Sequence, residues 1–521
     1  MGDTDPDVII VGAGPVGLML AGELRLGGVD CVVLERSKEP TDQSRALGFT
    51  ARTIETFDQR GLLPRFGTVD TIPVGHFGGV PLDYREIEGG SYGAKGVPQS
   101  LTVAVLSDWT RELGVDVRRG WEVVGFTAGA DGVEVEVDTP DGPRVLRAAY
   151  LVGCDGGRST VRKRAGIGFP GYDARIEMSF AEVSGVRVRP RPNGERVPGG
   201  LVLAFQQGPE LFRVTYHERG VVPRRGDEPP TFAEVAAAWE RLTGEDIRGG
   251  TPLWVGRFTD ASRQAGEYRR GRVLLAGDAA HIHLPIGGQG MSAGVQDAVN
   301  LGWKLAAEIK GYAPAGLLDT YHTERHPVGA RVILNTVAQR LLYLGDDQML
   351  PLRELFAELM TQESVRAHLI GMVTGLDIRY DVGSGDHPLL GRRLPDRELV
   401  GVEAGSTFGL LHPARGVLLD LAGSATLRDA AGPWADRVDT VTARLAPDGV
   451  AEQFDGVDAL LVRPDGYVAW VGGPGAAGGV PVGGPGAAGN APVGGPGAVA
   501  SGLVDALTRW FGRPAGPRGK E

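Results

Sequence analysis

Gly12, Gly14 and Gly17 lie in the segment Val8-Ile9-Ile10-Val11-Gly12-Ala13-Gly14-Pro15-Val16-Gly17, and Glu35 follows eighteen residues after the last of them. Glycines at that spacing let the chain turn sharply and bring bare backbone against a diphosphate. An acid at that distance can accept from both hydroxyls of a ribose. The four apolar residues ahead of the turn read as a buried parallel strand. Residues 18–24 read as the start of a helix whose N-terminus, next to Pro15 and Val16, offers unpaired N–H groups and a partial positive charge. A second apolar run, residues 31–34, delivers Glu35. Strand, glycines, helix, strand and acid in that order predict a dinucleotide site but leave the dinucleotide open.

The same glycine pattern recurs at residues 473–478 and 484–489 without any helix-forming run behind it. Both matches lie in a period-eleven repeat, Val-Gly-Gly-Pro-Gly-Ala, beginning at Val471, Val482 and Val493. Proline and glycine at that density cannot build a packed core, so residues 471–500 are expected to form a flexible surface loop.

A second constellation narrows the ligand. The apolar run 273–276 ends on Gly277-Asp278, where open α/β sheets hold ligands at strand ends. Asp278 there can accept from a linear polyol such as the ribityl chain of a flavin. The loop His281-Ile282-His283-Leu284-Pro285-Ile286-Gly287-Gly288-Gln289-Gly290 then offers bare backbone and opens into a helix at Met291. That helix start would suit the anionic edge of a reduced isoalloxazine. An NAD enzyme has no need of this second strand end and glycine platform, whereas an extended FAD does. His281 and His283 resemble a metal pair, but no third ligand accompanies them, so no metal is expected.

These residues must be positioned by a chain of 521 residues, long enough for two or three domains. Its apolar content of 42% and charged content of 23% are those of a soluble globular protein. A net charge of −11 without a long basic run argues against nucleic acid as the main partner. No uninterrupted apolar stretch is long enough to cross a bilayer, and the acidic start argues against a cleaved signal, so a cytoplasmic protein is expected. Cys31 and Cys154, the only cysteines, fall in apolar strands and read as buried thiols. The pattern predicts an α/β fold with three parts. A Rossmann-like FAD-binding domain takes residues 1–173 and 271–390, with a helical linker at 320–375. A mostly antiparallel sheet takes 174–270 with parts of 70–100, and a small α/β domain takes 391–521.

Three motifs in order carry a family resemblance: Gly12-Ala13-Gly14-Pro15-Val16-Gly17, Cys154-Asp155-Gly156-Gly157-Arg158-Ser159, and Gly277-Asp278-Ala279-Ala280-His281. The chain resembles the FAD-dependent aromatic hydroxylases of the para-hydroxybenzoate hydroxylase fold. Within them it is most similar to the aromatic polyketide hydroxylases of angucycline, anthracycline and tetracycline type, and to rifampicin monooxygenase. It shares with these Asp58-Gln59-Arg60-Gly61-Leu62-Leu63, Val97-Pro98-Gln99 and a C-terminal segment, residues 460–470, of thioredoxin-like type. That last domain lacks cysteine, so it is expected to be structural or dimer-supporting, in a monomer or homodimer.

The resemblance implies that Glu35 holds the adenosine ribose and Arg36 flanks the adenine. It places Arg45 and Gln99 on the diphosphate and nearby ribityl atoms, Val123 by backbone near the adenine, and Asp278 on the ribityl chain. Pro285 and the backbone of Gly287, Gly288, Gly290 and Met291 would line the flavin ring, and Asp155 would serve folding around FAD. The implied reaction uses NADPH or NADH as a transient reductant and O2 as co-substrate. A C4a-hydroperoxide then oxygenates an electron-rich ring carbon of a polycyclic aromatic polyketide, in a pocket that must exclude water. Candidate walls are Phe77, Phe205, Phe212, Tyr216, Pro285 and Ile286, with a place in the core as the competing reading for the aromatic ones. His217 is the candidate by position to ionise a phenol, against the substrate's own acidic phenols sufficing. No side chain is expected to be essential for a flavin-driven step. Baeyer–Villiger or ring-opening oxygenation, rifampicin-type inactivation, and a flavoprotein that does not oxygenate at all stand as alternatives.

Overall fold

The computed structural model describes residues 5–41, 43, 44, 46–224, 226, 228–447, 452–473 and 496–514. Arg45 and most of the Gly/Pro repeat lie outside the described residues. The strand Val8–Val11 is completely apolar and sits in the middle of a six-stranded sheet. Cys31–Glu35 pairs parallel to it on one side and Tyr150–Gly153 on the other. Asp116–Arg119 extends the first side, and Val273–Leu275 the second, both parallel. Because the chain leaves the central strand in opposite directions along the sheet, the carboxyl ends of Val8–Val11 and its two neighbours flank a crevice. The helix Pro15–Leu26 packs on one face against the long helix Gln289–Ile309 and against Gln99–Glu112, and continuous burial of Val8–Val11, Cys31–Leu34 and Tyr150–Val152 follows.

A three-stranded antiparallel sheet, Glu122–Ala128, Val133–Thr139 and Gly142–Ala148, stands beside it. The third strand carries no clean alternation and is absent from the sequence reading. Trp121 N–H donates to the Glu35 carbonyl at 3.0 Å, which brings this hairpin next to the predicted ribose acid.

The antiparallel sheet expected between residues 174 and 270 has five strands, in the order Arg191–Val197, Gly200–Gly208, Leu211–Glu218, Glu177–Ser184, Thr251–Thr259. Its period-two alternation gives two buried faces. One carries Ala181, Val202, Ala204, Phe212, Val214 and Tyr216 against Val235, Ala236 and Trp239 of the helix Phe232–Thr243. That helix is started by a reciprocal capping box between Thr231 and Glu234. The other face turns toward the loop ahead of Gln289–Ile309.

Beyond the helices Thr320–Leu344, Leu350–Leu359 and Glu363–Thr374, a mixed sheet of Val438–Thr442, Gly416–Asp420, Ala459–Val462 and Val468–Gly472 closes the chain with the helix Pro496–Phe511. Leu503, Leu507, Trp510 and Phe511 bury that helix against the sheet. Among the described residues no helix is long and apolar enough to cross a membrane.

Candidate cofactor and substrate site

Two of the three glycines of the first turn are required by close backbone contacts, and the third leaves open space. Gly12 has φ +106°, and a Cβ there would meet the Cys154 carbonyl oxygen at 2.5 Å. Gly17 would place a Cβ 2.0 Å from the Gly12 carbonyl oxygen, so only hydrogen lets the helix close on the strand. Gly14, the N-cap of the helix Pro15–Leu26, would meet nothing within 4 Å and so faces open space. No side chain caps this helix start, and Pro15 removes one surplus N–H. Glu35 reaches over the turn: its Oε2 accepts from Ala13 N–H at 2.9 Å and its Oε1 from Ser37 N–H at 2.8 Å. A bare turn, an uncapped helix start and a half-buried acid at its side fit the ADP half of a dinucleotide. Arg36 is exposed beside Glu35, and Val123 is buried in the neighbouring hairpin.

The other end of the crevice is built around Asp297. The Gly277 backbone, at φ +61°, lets the strand end turn against Val16, and Gly277 N–H donates to Asp297 Oδ2 at 3.2 Å. His281 Nε2 lies 2.7 Å from that same oxygen, and Arg325 Nε donates to Asp297 Oδ1 at 2.7 Å. All three side chains are buried. Burial would raise the Asp297 carboxyl, but Arg325 and His281 outweigh it and hold the carboxyl below its ordinary range. This cluster fixes the strand end that carries the exposed Asp278 to the platform helix. Neither Asp297 nor Arg325 was singled out in the sequence, because each meets its partners only in the folded chain.

Pro285 is exposed, Ile286 is buried, and Gly287 and Gly288 follow at φ +71° and +67°, a pair of left-handed residues that only glycine adopts readily. The helix Gln289–Ile309 starts there with no side-chain cap and no acid in its first turn. Its orphan N–H groups therefore remain available to an anionic edge, as the flavin assignment requires. Ser292 Oγ accepts from Thr50 N–H at 3.1 Å, tying this start to the 46–50 segment, and Ala46 N–H donates to Gln99 Oε1 at 3.2 Å. Met291 is partly buried against the main core. The His283 ring is enclosed beside Gly290, with Nδ1 on the Leu284 carbonyl at 2.9 Å, and burial pushes its pKa down to about 4. It is neutral at physiological pH. Among the described residues no three His, Cys, Asp or Glu side chains cluster as a metal site.

Asp155 works as a turn residue. Its Oδ2 accepts from Thr160 and Val161 N–H at 2.7 and 3.1 Å, while its Oδ1 is buried with no hydrogen-bond partner among the described residues.

The wall facing the platform differs from the expected one. Leu201 and Met178 of the five-stranded sheet pack with Leu284 and Ile286 of the loop, joined by the partly buried Leu203. Cross-strand register puts Phe205 opposite Arg213, Leu203 opposite Thr215 and Leu201 opposite His217 on this face. Phe205, Ile286 and His217 are thus on the loop side. Phe212 and Tyr216 are not: one-residue alternation turns them to the helix Phe232–Thr243, where they are core. Phe77 is also core, packed with Leu342, Met360 and Val373. His217 is buried, its Nδ1 3.1 Å from the Glu177 carbonyl, and burial lowers its pKa. The sequence reading also passed over Arg213. Its guanidinium donates to the Ser44 carbonyl at 2.6 Å and lies 4.2 Å from the Phe180 ring centre, and burial lowers its pKa to about 10.

The C-terminal part is locked onto this frame by buried charge. Arg60 donates to Glu23 at 2.6 and 2.9 Å and also to the Leu411 and Pro464 carbonyls. Arg52 donates to the Asp465 carbonyl, and Arg463 to the Glu324 carboxylate.

Residues 5–336 match the family model for an FAD binding domain, and residues 387–514 match that for the C-terminal part of aromatic-ring hydroxylases. The chain is 45% identical, over 98% of its length and 99% of the relative's, to 12-dehydrotetracycline 5-monooxygenase/anhydrotetracycline 6-monooxygenase of Streptomyces rimosus. It is 46% identical to rifampicin monooxygenase of Streptomyces venezuelae, covering 89% of this chain and 95% of that one. The crystal structure of CabE, an aromatic hydroxylase from angucycline biosynthesis, superposes with a TM-score of 0.90 at 55% identity, covering 98% of this chain and all of that one. With its FAD-type turn, its platform and both family segments in place, the chain belongs to the FAD-dependent monooxygenases of the aromatic-ring hydroxylase family.

Proposed function

We propose that the protein hydroxylates a polycyclic aromatic polyketide intermediate in antibiotic biosynthesis. The observation that carries this reading is the sheet face bearing Leu201, Leu203 and Phe205, which stands against the Leu284–Ile286 side of the platform loop. An apolar wall there suits a flat aromatic ligand and keeps water from the reacting end of the cofactor. When bound, FAD supplies the redox chemistry, taking electrons from NADPH or NADH and passing them to O2. Glu35 would hold its ribose, Gly12–Gly17 its diphosphate with Arg45 and Gln99, and Asp278 its ribityl chain. The backbone from Gly287 to Met291 would face its ring, flanked by Pro285. Arg36 and Val123 would lie near the adenine.

Each residue's part is to bind, orient and dry the site. His217 is held by a backbone carbonyl, and burial lowers its pKa and so weakens it as a base, which favours a part in shaping the wall over taking a phenolic proton. The relatives named as a 12-dehydrotetracycline and anhydrotetracycline monooxygenase and as an aromatic hydroxylase from angucycline biosynthesis favour hydroxylation. The reading also assigns residues 1–173 with 271–390 to the cofactor, 174–270 to the substrate, and 391–521 to a thioredoxin-like, non-redox domain in a cytoplasmic monomer or homodimer.

The test is incubation of the FAD-loaded protein with NADPH and a panel of tetracyclic and angular phenolic polyketides, followed by mass analysis. A product heavier by one oxygen and bearing a new hydroxyl supports the reading. A new ester or lactone would assign a Baeyer–Villiger outcome, and no oxygenated product from any member would remove the polyketide assignment.

A further inference from the structure

A cavity of about 730 Å3 lies between the platform helix Gln289–Ile309 and the long helix Thr320–Leu344, closed by residues 372–381 and by the end of the last helix. No residue of the five-stranded sheet or of the Gly12–Gly17 turn lines it, but Gln289, Ser292 and Ala293 of the platform helix do, with Thr50, so it borders the platform. Its size is that of a small-molecule site. Leu317, Val328, Val332, Met372, Ile378 and Trp510 give it apolar and aromatic walls.

The charges around it are unevenly satisfied. Arg331 is paired with Asp377, and Glu324 with Lys304 and Arg463. Three charged groups remain: the exposed Arg379, Arg509 and Asp381. Arg379 gives its Nε to the Leu390 carbonyl at 2.9 Å, and Arg509 lies 5.5 Å from the Trp510 ring centre. Neither arginine forms an ion pair among the described residues. Asp381 accepts from Gly383 N–H at 3.1 Å. Two forked cations against one carboxylate, on a cavity whose apolar walls and indole alternate with Gln289, Ser292, Gln296 and Thr374, select a flat body with a negative end.

We propose that this cavity is a second small-molecule site, and that it takes an aromatic anion: a fused or linked ring system bearing one carboxylate, sulfonate or ionised phenol. The rings lie among Val328, Val332 and Met372, and the anionic group meets Arg379 and Arg509. The assignment rests on the cavity's own lining and not on the proposed hydroxylation.

The test is a fluorescence titration of the FAD-loaded full chain with 8-anilinonaphthalene-1-sulfonate, an aromatic sulfonate. Val328→Trp or Val332→Trp, which fills the cavity, is expected to remove one equivalent of bound dye; dye held at the substrate wall stays. The double variant Arg379→Glu/Arg509→Glu changes only exposed side chains and is expected to weaken that equivalent about tenfold. Flavin absorbance and circular dichroism identify the variants that fold, and the charge-reversal variant keeps the test decisive if neither tryptophan is tolerated. Unchanged stoichiometry in a folded tryptophan variant would overturn the site. Unchanged affinity after charge reversal would overturn the anionic character of its ligand.

Discussion

Arg463 donates through both terminal nitrogens to the Glu324 carboxylate, at 2.6 and 2.8 Å, with both side chains buried. Glu324 also accepts from Lys304 Nζ at 2.7 Å and from Asn300 Nδ2 at 2.7 Å. The arginine comes from the turn between the strands Ala459–Val462 and Val468–Gly472, the glutamate from the helix Thr320–Leu344. The last part of the chain is therefore plugged into the frame that holds the platform. Removing one member leaves charge buried without its partner, so Arg463→Met is expected to cost about 3–5 kcal/mol. Denaturant unfolding followed by flavin fluorescence measures it; a loss below 1 kcal/mol, on the same scale, would mean that the pair is solvated.

That cluster also sets an acid limit. Burial would raise the Glu324 carboxyl, but Arg463 and Lys304 outweigh it and bring it to about 2, below the ordinary 4.5. A carboxyl lowered on folding contributes stability that is complete above its unfolded pKa and lost as pH falls through the folded one. Melting temperature is expected to drop between pH 4.5 and 2, and Glu324→Gln to flatten that part of the profile.

His283 predicts a second, higher window. Its pKa, lowered by burial from 6.5 to about 4, makes the folded protein resist its protonation. The contribution is complete above pH 6.5 and declines as pH falls toward 4. His283→Asn is expected to lower stability at pH 7 yet to lose less between pH 6.5 and 4. Melting curves across that range check the difference in slope.

The glycines of the first turn separate folding from cofactor binding. Gly17→Ala puts a methyl group 2.0 Å from the Gly12 carbonyl oxygen, so strand and helix must part and the protein is expected to be unstable. Gly14→Ala meets no protein atom within 4 Å. It is expected to fold within about 1 kcal/mol of the unaltered chain while binding FAD about tenfold more weakly. Equilibrium dialysis against FAD, beside thermal unfolding, distinguishes the two.

The two faces of the five-stranded sheet give a matching pair. Phe212→Ala opens a hole against Trp239 and is expected to cost about 3–5 kcal/mol without changing product formed per NADPH consumed. Leu203→Trp crowds the loop-side wall; it is expected to leave stability nearly unchanged and divert oxygen to hydrogen peroxide. Peroxide and product assays on both variants check the assignment.

The strand Val8–Val11, its glycine turn and Glu35 were legible in the sequence because every determinant is local: an apolar run, a fixed spacing and a helix start. Gly277 and the Gly287–Gly288 pair were legible for the same reason. Phe212 and Tyr216 were misplaced because alternation defines two faces but does not say which one a later helix, Phe232–Thr243, will cover. Asp297, Arg325, Glu324 and Arg463 went unseen because their partners lie 16 to 139 residues away. In isolation each looks like a solvated charge on a helix or turn.

The proposed reaction transfers one oxygen atom from O2 to an aromatic ring. Its decisive test is turnover of the FAD-loaded protein with NADPH and a polycyclic phenol under 18O2. The expected product carries one labelled oxygen as a new ring hydroxyl, with the second labelled atom in water. NADPH oxidation with all the label recovered as hydrogen peroxide, and none in the organic product, would contradict it.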